Sequence, residues 1–452
     1  MKVKRNAHAY NTGVEPIIAL ATPPLMGALA LIRLSGDDVF AITEKFFNKK
    51  IEVLDTPKII HGVLSFEGKP IDEVVLFCYP AGKSSTGEET VEISCHGSPL
   101  IADEIIQAYL GLGVRMAVNG EFTSRAFYNG KLDIIQAEAI NDLIRASTRE
   151  QKDLAFRSVN GETSKLLTPL LDEIRSLLSI VEVGIDYPEY NEGLDDISAI
   201  KDRCLVLRDK VANLIKDGDE GSYIRNGVNV ALLGEPNVGK SSILNALLQE
   251  EKAIVSPIPG TTRDVVEGDI SIKGLPVHIY DTAGIRESED YIEKLGIDKS
   301  RKALDNADLV ILVSDENGIT GGYQELKKAA SDKKIIEVCN KIDLGKHNKS
   351  GFCEISAKNG EVKPLIEAIF NALHLNNEIF SKPTLSSKRE LSLLRQVKEE
   401  LNQSLLLCEA QMGLDIIAAS LQRVYNLTRV LLGLDPTQDF GEEIFSRFCV
   451  GK

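Results

Sequence analysis

Gly234-Glu235-Pro236-Asn237-Val238-Gly239-Lys240-Ser241 follows the strand-like run Val228–Leu233 and leads into a helical stretch, Ser242–Leu248. A strand, a glycine-bearing loop of this spacing and a helix make a phosphate-binding loop. The glycines let backbone N–H groups converge on phosphate oxygens, Lys240 reaches the terminal phosphates, and the Ser241 hydroxyl suits magnesium. Asn237, Val238, Gly239, Lys240, Ser241 and Ser242 are therefore expected around the phosphates. A chance Gly-rich turn is the competing reading, and the segments downstream count against it.

Those segments come in the order a guanine-nucleotide site requires. The strand-like Val277–Tyr280 ends at Asp281-Thr282-Ala283-Gly284, where Asp281 would hold a magnesium-bound water and the Gly284 N–H would meet the γ-phosphate. Leu309–Ser314 reads as a core strand. Ile335–Cys339 is another, ending at Asn340-Lys341-Ile342-Asp343. Asp343 can accept from guanine N1–H and its exocyclic amine, a donor pair that adenine lacks. Leaving that acid unpaired in a complex is costly, so the discrimination is sharp. Glu354-Ile355-Ser356-Ala357-Lys358 ends the next strand, where a backbone N–H reaches guanine O6. Thr261-Thr262-Arg263-Asp264 lies between the phosphate loop and Asp281, and Thr262 is the residue expected to close over magnesium. In small signalling GTPases a Gln after the Asp-x-x-Gly segment orients water. Here that position is Ile285, which cannot, and Asn237, Arg286, Glu287 and Glu293 remain open as candidates.

The bulk numbers agree with a soluble globular chain. It has 452 residues, 43% apolar and 26% charged, enough for two to four domains. A formal net charge of −15 argues against a general nucleic-acid coat or an anionic-membrane binder. The seven cysteines are scattered with no CxxC pair, which fits a reducing cytoplasm better than a disulfide or zinc framework. Lys2, Lys4 and Arg5 before Ile17–Ile32 imitate a secretory leader. Glu15 and the Pro23-Pro24 break favour two short buried strands joined by a turn. No other apolar run approaches the length of a membrane span.

Residues 1–128 read as mixed α and β, with strands at Ile17–Ala21, Ala28–Leu34, Ile60–Phe66, Glu73–Tyr79 and Thr90–Cys95 and a helix at Pro99–Leu110. From about Asp133 to Asp217 the apolar spacing turns helical, as in Ala137–Asn160 and Leu166–Val183. From Val228 to His374 short apolar runs alternate with helices, the pattern of a parallel α/β sheet. After Ser381 the chain is helical again to about Arg429. The expected fold class is multidomain, α/β and all-α: a P-loop GTPase domain (223–378) inserted in a discontinuous helical domain (129–222 and 379–452), preceded by an α+β domain.

The chain resembles the MnmE/TrmE family of tRNA-modification GTPases from about residue 12 to its end. The resemblance is carried by Ala19-Leu20-Ala21-Thr22-Pro23-Pro24 with Ile32-Arg33-Leu34-Ser35-Gly36, and by Thr86-Gly87-Glu88 with Glu92-Ile93-Ser94-Cys95-His96-Gly97. Gly120-Glu121-Phe122-Thr123-Ser124-Arg125-Ala126-Phe127, Asn129-Gly130-Lys131-Leu132-Asp133 and the terminal Phe448-Cys449-Val450-Gly451-Lys452 complete it. It implies a folate-binding N-terminal domain that forms a homodimer. It also implies a flavin-containing MnmG-like partner, joined in a heterotetramer, and addition of an aminomethyl-type group to carbon 5 of the wobble uridine of tRNA. A tetrahydrofolate derivative would supply the carbon. The resemblance places Arg33, Glu88, Lys131 and Lys452 at folate-contacting positions and Asn237 as a potassium ligand. Ser256, Ile258 and Thr261 line the potassium loop, with Pro257, Pro259 and Gly260 beside the nucleotide. Glu293 matches the catalytic glutamate, acting through water; Arg286 and Cys449 are further catalytic candidates. Potassium would stand where other GTPases place an arginine finger. The chain departs from the family at Leu25-Met26-Gly27-Ala28, His96-Gly97-Ser98, Asn119, Glu235 and Leu431–Phe440.

Blander readings exist for several of these. Cys449 suits a merely terminal thiol as well as a redox centre. Cys95-His96 looks like a dyad, but strand neighbours point to opposite faces. Arg33 suits a structural ion pair, and Lys131 and Arg125 suit solvated charges. The rival for the whole chain is a GTP switch binding RNA in ribosome assembly, against which stand the N-terminal match and the lack of a KH-type G-x-x-G module after the G domain. A structural dimer timed by GTP is a second. Asp343→Asn is expected to move preference from GTP toward xanthosine nucleotides, whose exchanged donor and acceptor suit an amide. Competition binding checks this, and an unchanged GTP affinity would sink the assignment of Asp343.

Overall fold

The leader-like stretch near the N-terminus forms a hairpin. β1 (Ile17–Leu20) pairs antiparallel with β2 (Leu29–Ser35), and Ile17, Ile18, Ile32 and Leu34 are fully buried. The structure is a computed structural model that describes residues 15–52, 55–187, 194–250, 252–253, 268–281, 304–315, 319–345, 351–373, 375, 379–434, 444–446, 448 and 450–451. The chain divides into two compact units: Met1–Asn141 with Ser164–Asp172 and Tyr425–Lys452, and Asp142–Thr163 with Glu173–Val424.

In the first unit, β3 (Lys58–Phe66), β4 (Lys69–Tyr79), β5 (Thr90–His96) and β6 (Arg115–Met116) join the hairpin in a six-stranded sheet of order β3-β4-β5-β2-β1-β6. Alternation sends Leu34, Leu76 and Ile93 inward, where Ile105 and Tyr109 of the helix Pro99–Leu110 meet them. That helix begins at Pro99, whose missing N–H costs nothing in the first turn. Cys95 is 1% exposed and burial pushes its thiol up to about 11, while His96 is exposed and bonds Asp72 Oδ1 through Nδ1 at 2.7 Å. The adjacent pair therefore makes no dyad. The helix Glu121–Tyr128 starts at Gly120, whose φ of 69° and the approach of Phe445 O, 2.4 Å from where a Cβ would stand, admit only glycine. Phe445 and Phe448 near the chain end are buried against one another, ring centroids 5.6 Å apart.

In the second unit, β7 (Val228–Gly234), β8 (Lys252–Ala253), β9 (Gly268–Ile272), β10 (Leu275–Asp281), β11 (Leu309–Ser314), β12 (Lys334–Cys339) and β13 (Cys353–Glu354) form a seven-stranded sheet of order β13-β12-β11-β7-β10-β9-β8. The pairs β13-β12, β12-β11, β11-β7 and β7-β10 are parallel, and β9 and β8 run antiparallel at the far edge. Chain order reverses at β7, with β10 on one side and β11 on the other, the switch point where open α/β sheets take ligands. β11 is buried at all six positions, as a strand covered on both faces must be.

The helix Leu194–Asn226 precedes this sheet and Lys388–Glu409 follows it, and the two pack together. Gly218 and Gly221 make the approach possible: a Cβ at Gly218 would stand 2.2 Å from Leu385 O, and one at Gly221 2.4 Å from Thr384 Oγ1. The sheet domain is thus an insertion between two helical segments of one layer.

The stretch Ala137–Asn160, continuous in its apolar spacing, is two helices, Ile134–Arg145 and Arg149–Val159. Thr148 breaks it with a reciprocal cap: its Oγ1 accepts the Gln151 N–H at 3.1 Å, and Gln151 Oε1 accepts the Thr148 N–H at 3.2 Å. Thr148→Ala is expected to cost about 1 kcal/mol, read as a lower urea midpoint, whereas Thr148→Asn, which keeps an acceptor, changes it little. Equal midpoints for the alanine variant and the native chain would exclude the capping role.

Candidate functional site

The carboxyl end of β7 turns directly into the phosphate loop and the helix Lys240–Glu250. Asn237 has φ 65° and Gly239 φ 96°, left-handed conformations that asparagine and glycine tolerate best. Left-handed residues alternating with ordinary ones turn successive N–H groups toward one concavity, an anion nest. Lys240 is only 6% exposed, and its Nζ donates to Gly234 O and Glu235 O, each at 2.9 Å. The ammonium is thereby folded over the loop, held by neutral carbonyls that a phosphate oxygen could replace. A Cβ on Gly239 would stand 2.3 Å from the side-chain amide nitrogen Nδ2 of Asn340, so the space beside this glycine is taken by the Asn340 amide and tolerates no side chain. The uncommon acid Glu235 has a structural place. Its Oε1 lies 2.3 Å from where a Gly322 Cβ would be, at the start of the helix Gly321–Ala329, whose positive N-terminal end favours a carboxylate.

Asn340, at the end of β12, ties this loop to the next segment. It is 2% exposed; its Nδ2 donates to Val238 O at 3.0 Å and its Oδ1 accepts the Ala357 N–H at 3.1 Å. Asp343 Oδ1 accepts from Ser356 Oγ at 2.8 Å, which fixes a carboxylate that is otherwise exposed. Ser356 and Ala357 are buried, and Lys358 is exposed in the short 3-10 helix Ala357–Asn359. Lys341, at φ 65°, pairs its Nζ with Asp315 Oδ2 at 3.2 Å. The sequence reading missed Asp315, although an acid just past the end of a buried parallel strand was the signal for it. Asp343 thus offers a steadied acceptor next to the Ser356–Ala357 segment, an arrangement that can receive the N–H donors of a purine edge.

For magnesium, Ser241 stands at the start of the helix, and Asp281 ends β10 in register with Leu232 of β7, placing both strand ends beside the loop. A hydroxyl and a carboxylate are the oxygen donors that a hard cation takes. Ser256, Pro257, Ile258, Pro259, Gly260, Thr261, Thr262, Thr282, Ala283, Gly284, Arg286 and Glu293, with Cys449 and Lys452, lie outside the described residues.

The first unit holds a separate polar network. Arg33 donates Nε to Glu92 Oε1 at 2.8 Å and Nη1 to Gly451 O at 3.3 Å, and its guanidinium lies 5.6 Å from the Phe122 ring centroid. Glu88 Oε2 accepts from Ser35 Oγ at 2.8 Å and from Arg125 Nη1 at 3.0 Å. Lys131 is exposed, donates Nζ to Gly82 O at 2.6 Å, and lays its stem beside Gly87. Glu121 is buried. Desolvation pushes its carboxyl up, but hydrogen bonds from Arg115, the Val118 N–H and Arg125 outweigh that and hold it below the usual carboxylate range. Arg125, which reads as a solvated charge in the sequence, is 12% exposed and sits between Glu88 and Glu121.

Comparison with known proteins extends along nearly the whole chain. A family model described as "MnmE helical domain" matches residues 134–449, and one described as "GTP-binding protein TrmE N-terminus" matches residues 16–131. The tRNA modification GTPase MnmE of Listeria welshimeri is 36% identical over 97% of this chain and 99% of its own. That of Fervidobacterium nodosum is 38% identical over 98% of each, and that of Aquifex aeolicus 38% over 97% and 100%. A solved structure of Aquifex aeolicus Era bound to GDP and aluminium fluoride matches 38% of this chain and 65% of its own at 27% identity and a TM-score of 0.26, too slight a likeness to build on.

Asn340→Ala is expected to leave the Val238 carbonyl and the Ala357 N–H buried without partners, at about 1–3 kcal/mol for each. Nucleotide affinity and the melting temperature should both fall, as measured by titration with a fluorescent GDP and by calorimetry. An alanine variant that binds as tightly as the native chain would rule out the brace.

Proposed function

The chain belongs to the family of the tRNA modification GTPase MnmE, and from that premise we propose that it is a potassium-activated GTP hydrolase that modifies carbon 5 of the tRNA wobble uridine. It acts with a flavin-containing MnmG-like partner in a heterotetramer and forms its own homodimer through residues 1–128. The observation that most supports the reading is the Asn340 amide, which holds the phosphate loop at Val238 beside the segment bearing Asp343, Ser356 and Ala357. Relatives with that printed name match nearly end to end.

GTP is held by the phosphate loop from Asn237 to Ser242, by Ser256–Thr262, by Asp281–Gly284, and around the base by Asn340–Asp343 and Ser356–Lys358. Asp343 takes the guanine N–H pair, and Lys240 leaves its loop carbonyls for the terminal phosphates. Ser241 and Thr262 hold magnesium, which supplies charge neutralisation on the phosphate oxygens. Asn237, Ser256, Ile258 and Thr261 hold potassium, which supplies the positive charge an arginine finger would give. Ile285 cannot orient water, so Glu293 does this, with Arg286 as a further catalytic residue. The domains are 1–128, 129–222, 223–378 and 379–452. The first binds a tetrahydrofolate derivative through Arg33, Glu88, Lys131 and Lys452, and Cys449 lies close by in sequence to serve the modification. The site of action is the cytoplasm. No described helix is long and apolar enough to cross a membrane.

Mass spectrometry of wobble nucleosides tests the whole reading. Deleting the gene is expected to remove the aminomethyl-type group, and the native chain to restore it. A Glu293→Ala chain should fail, with kcat in potassium lowered by roughly two orders of magnitude and nucleotide affinity unchanged. Intact modification in the deletion strain would overturn the function, and hydrolysis by the variant at the native rate would overturn the role of Glu293.

A further inference from the structure

Glu88 belongs to a row of alternating charges whose geometry is uneven. Arg115 donates Nη2 and Nη1 to the two oxygens of Glu121 at 2.6 and 3.1 Å, and the Val118 N–H adds a third bond at 2.9 Å. Glu121 Oε1 also accepts Arg125 Nη2 at 3.0 Å, and Glu15 O accepts the same nitrogen at 3.1 Å. Arg125 then reaches Glu88 through Nη1 at 3.0 Å. Every member has an opposite charge beside it, which is what little-exposed ions require.

A network built only for stability would satisfy both oxygens of its last acid, as it does for Glu121. At Glu88 it does not. Ser35 Oγ and Arg125 Nη1 both converge on Oε2. Oε1 has no hydrogen-bond partner among the described residues, yet it is not among the buried unpaired atoms, and the side chain retains 11% exposure. Two donors on one oxygen stop the carboxylate from turning, so the other oxygen has a fixed direction.

We propose that Arg125 is a positioning residue which, with Ser35, anchors Oε2 of Glu88 and aims Oε1 at the N–H and amino donors of a bound pterin ring. This rests on the folate reading above. Charge decides which end of a folate Glu88 meets. An ionised acceptor repels the anionic glutamyl tail and suits the 2-amino-4-oxopyrimidine edge of the pterin. Guanine carries the same edge, and the acid expected to read it, Asp343, is likewise held through one oxygen by a serine, Ser356. Pre-fixing the acid removes the side-chain ordering cost from binding.

A double-mutant cycle on the full-length chain tests this, with tetrahydrofolate affinity measured by calorimetry and folding followed by circular dichroism. Arg125→Gln should weaken tetrahydrofolate on the order of tenfold, and so should Glu88→Gln. The double variant should be no weaker than Glu88→Gln alone, because Arg125 acts through Glu88. Additive losses, or an Arg125→Gln chain that binds as the native one does, would overturn the positioning role. Should Arg125→Gln fail to fold, Arg125→Lys takes its place: it keeps the charge but not the two-pronged bridge, and native affinity in that variant would equally overturn the role. A folded native chain that binds no tetrahydrofolate would instead defeat the folate reading, and this proposal with it.

Discussion

Parallel pairing in the seven-stranded sheet is the constraint on which the nucleotide site depends. It forces the carboxyl ends of β7, β10, β11, β12 and β13 to one edge, so segments more than a hundred residues apart finish side by side. Placement alone leaves loops free to drift. The Asn340 amide removes that freedom by donating to Val238 O and accepting from the Ala357 N–H. Because Asn340 is buried, each bond lost would leave a polar group dry and unpaired, so the three loops hold as a set.

The two units meet a common difficulty in the same way. On the proposed reading Asp343 and Glu88 each accept from a ligand, and such an acid can be neither freely rotating nor fully consumed by protein donors. Asp343 is steadied by the Ser356 hydroxyl, and Glu88 by Ser35 and Arg125. Behind Glu88 stands a chain of alternating charges, in which Glu121 stays ionised although buried because Arg115, Arg125 and a backbone N–H outweigh its desolvation. Arg33 illustrates the other side of this balance. Two of its five N–H groups already go to Glu92 and to Gly451 O, which fixes the direction in which the guanidinium faces.

Much of the fold was legible because it rests on local periodicity. Leu309–Ser314 and Pro99–Leu110 have the bounds that their apolar spacing indicates, and the Cys95–His96 neighbours fall on opposite faces as strand geometry demands. The break at Thr148 was hidden because the apolar spacing continues through it. The Thr148–Gln151 box is a short polar signal inside a long apolar one. Arg125 and Asp315 were hidden for a different reason. Glu121, four residues before Arg125, is a local partner that helical spacing offers, but the bonds to Glu88 and Lys341 span 37 and 26 residues and leave no local mark.

The sequence by itself determined the chemistry class: a phosphate loop in strand–helix context, the motif order of a GTPase, and a sheet domain set between helical stretches. These follow from residue type, turn chemistry and period, which act within a few positions of the chain. Only the tertiary structure decided that Asn340 braces two loops, that Glu235 lies at a helix start, and that Ser35 and Arg125 both bond Oε2 of Glu88. A side chain's partner and rotamer are settled by what packing brings to it from distant segments, and that selection has no local signature.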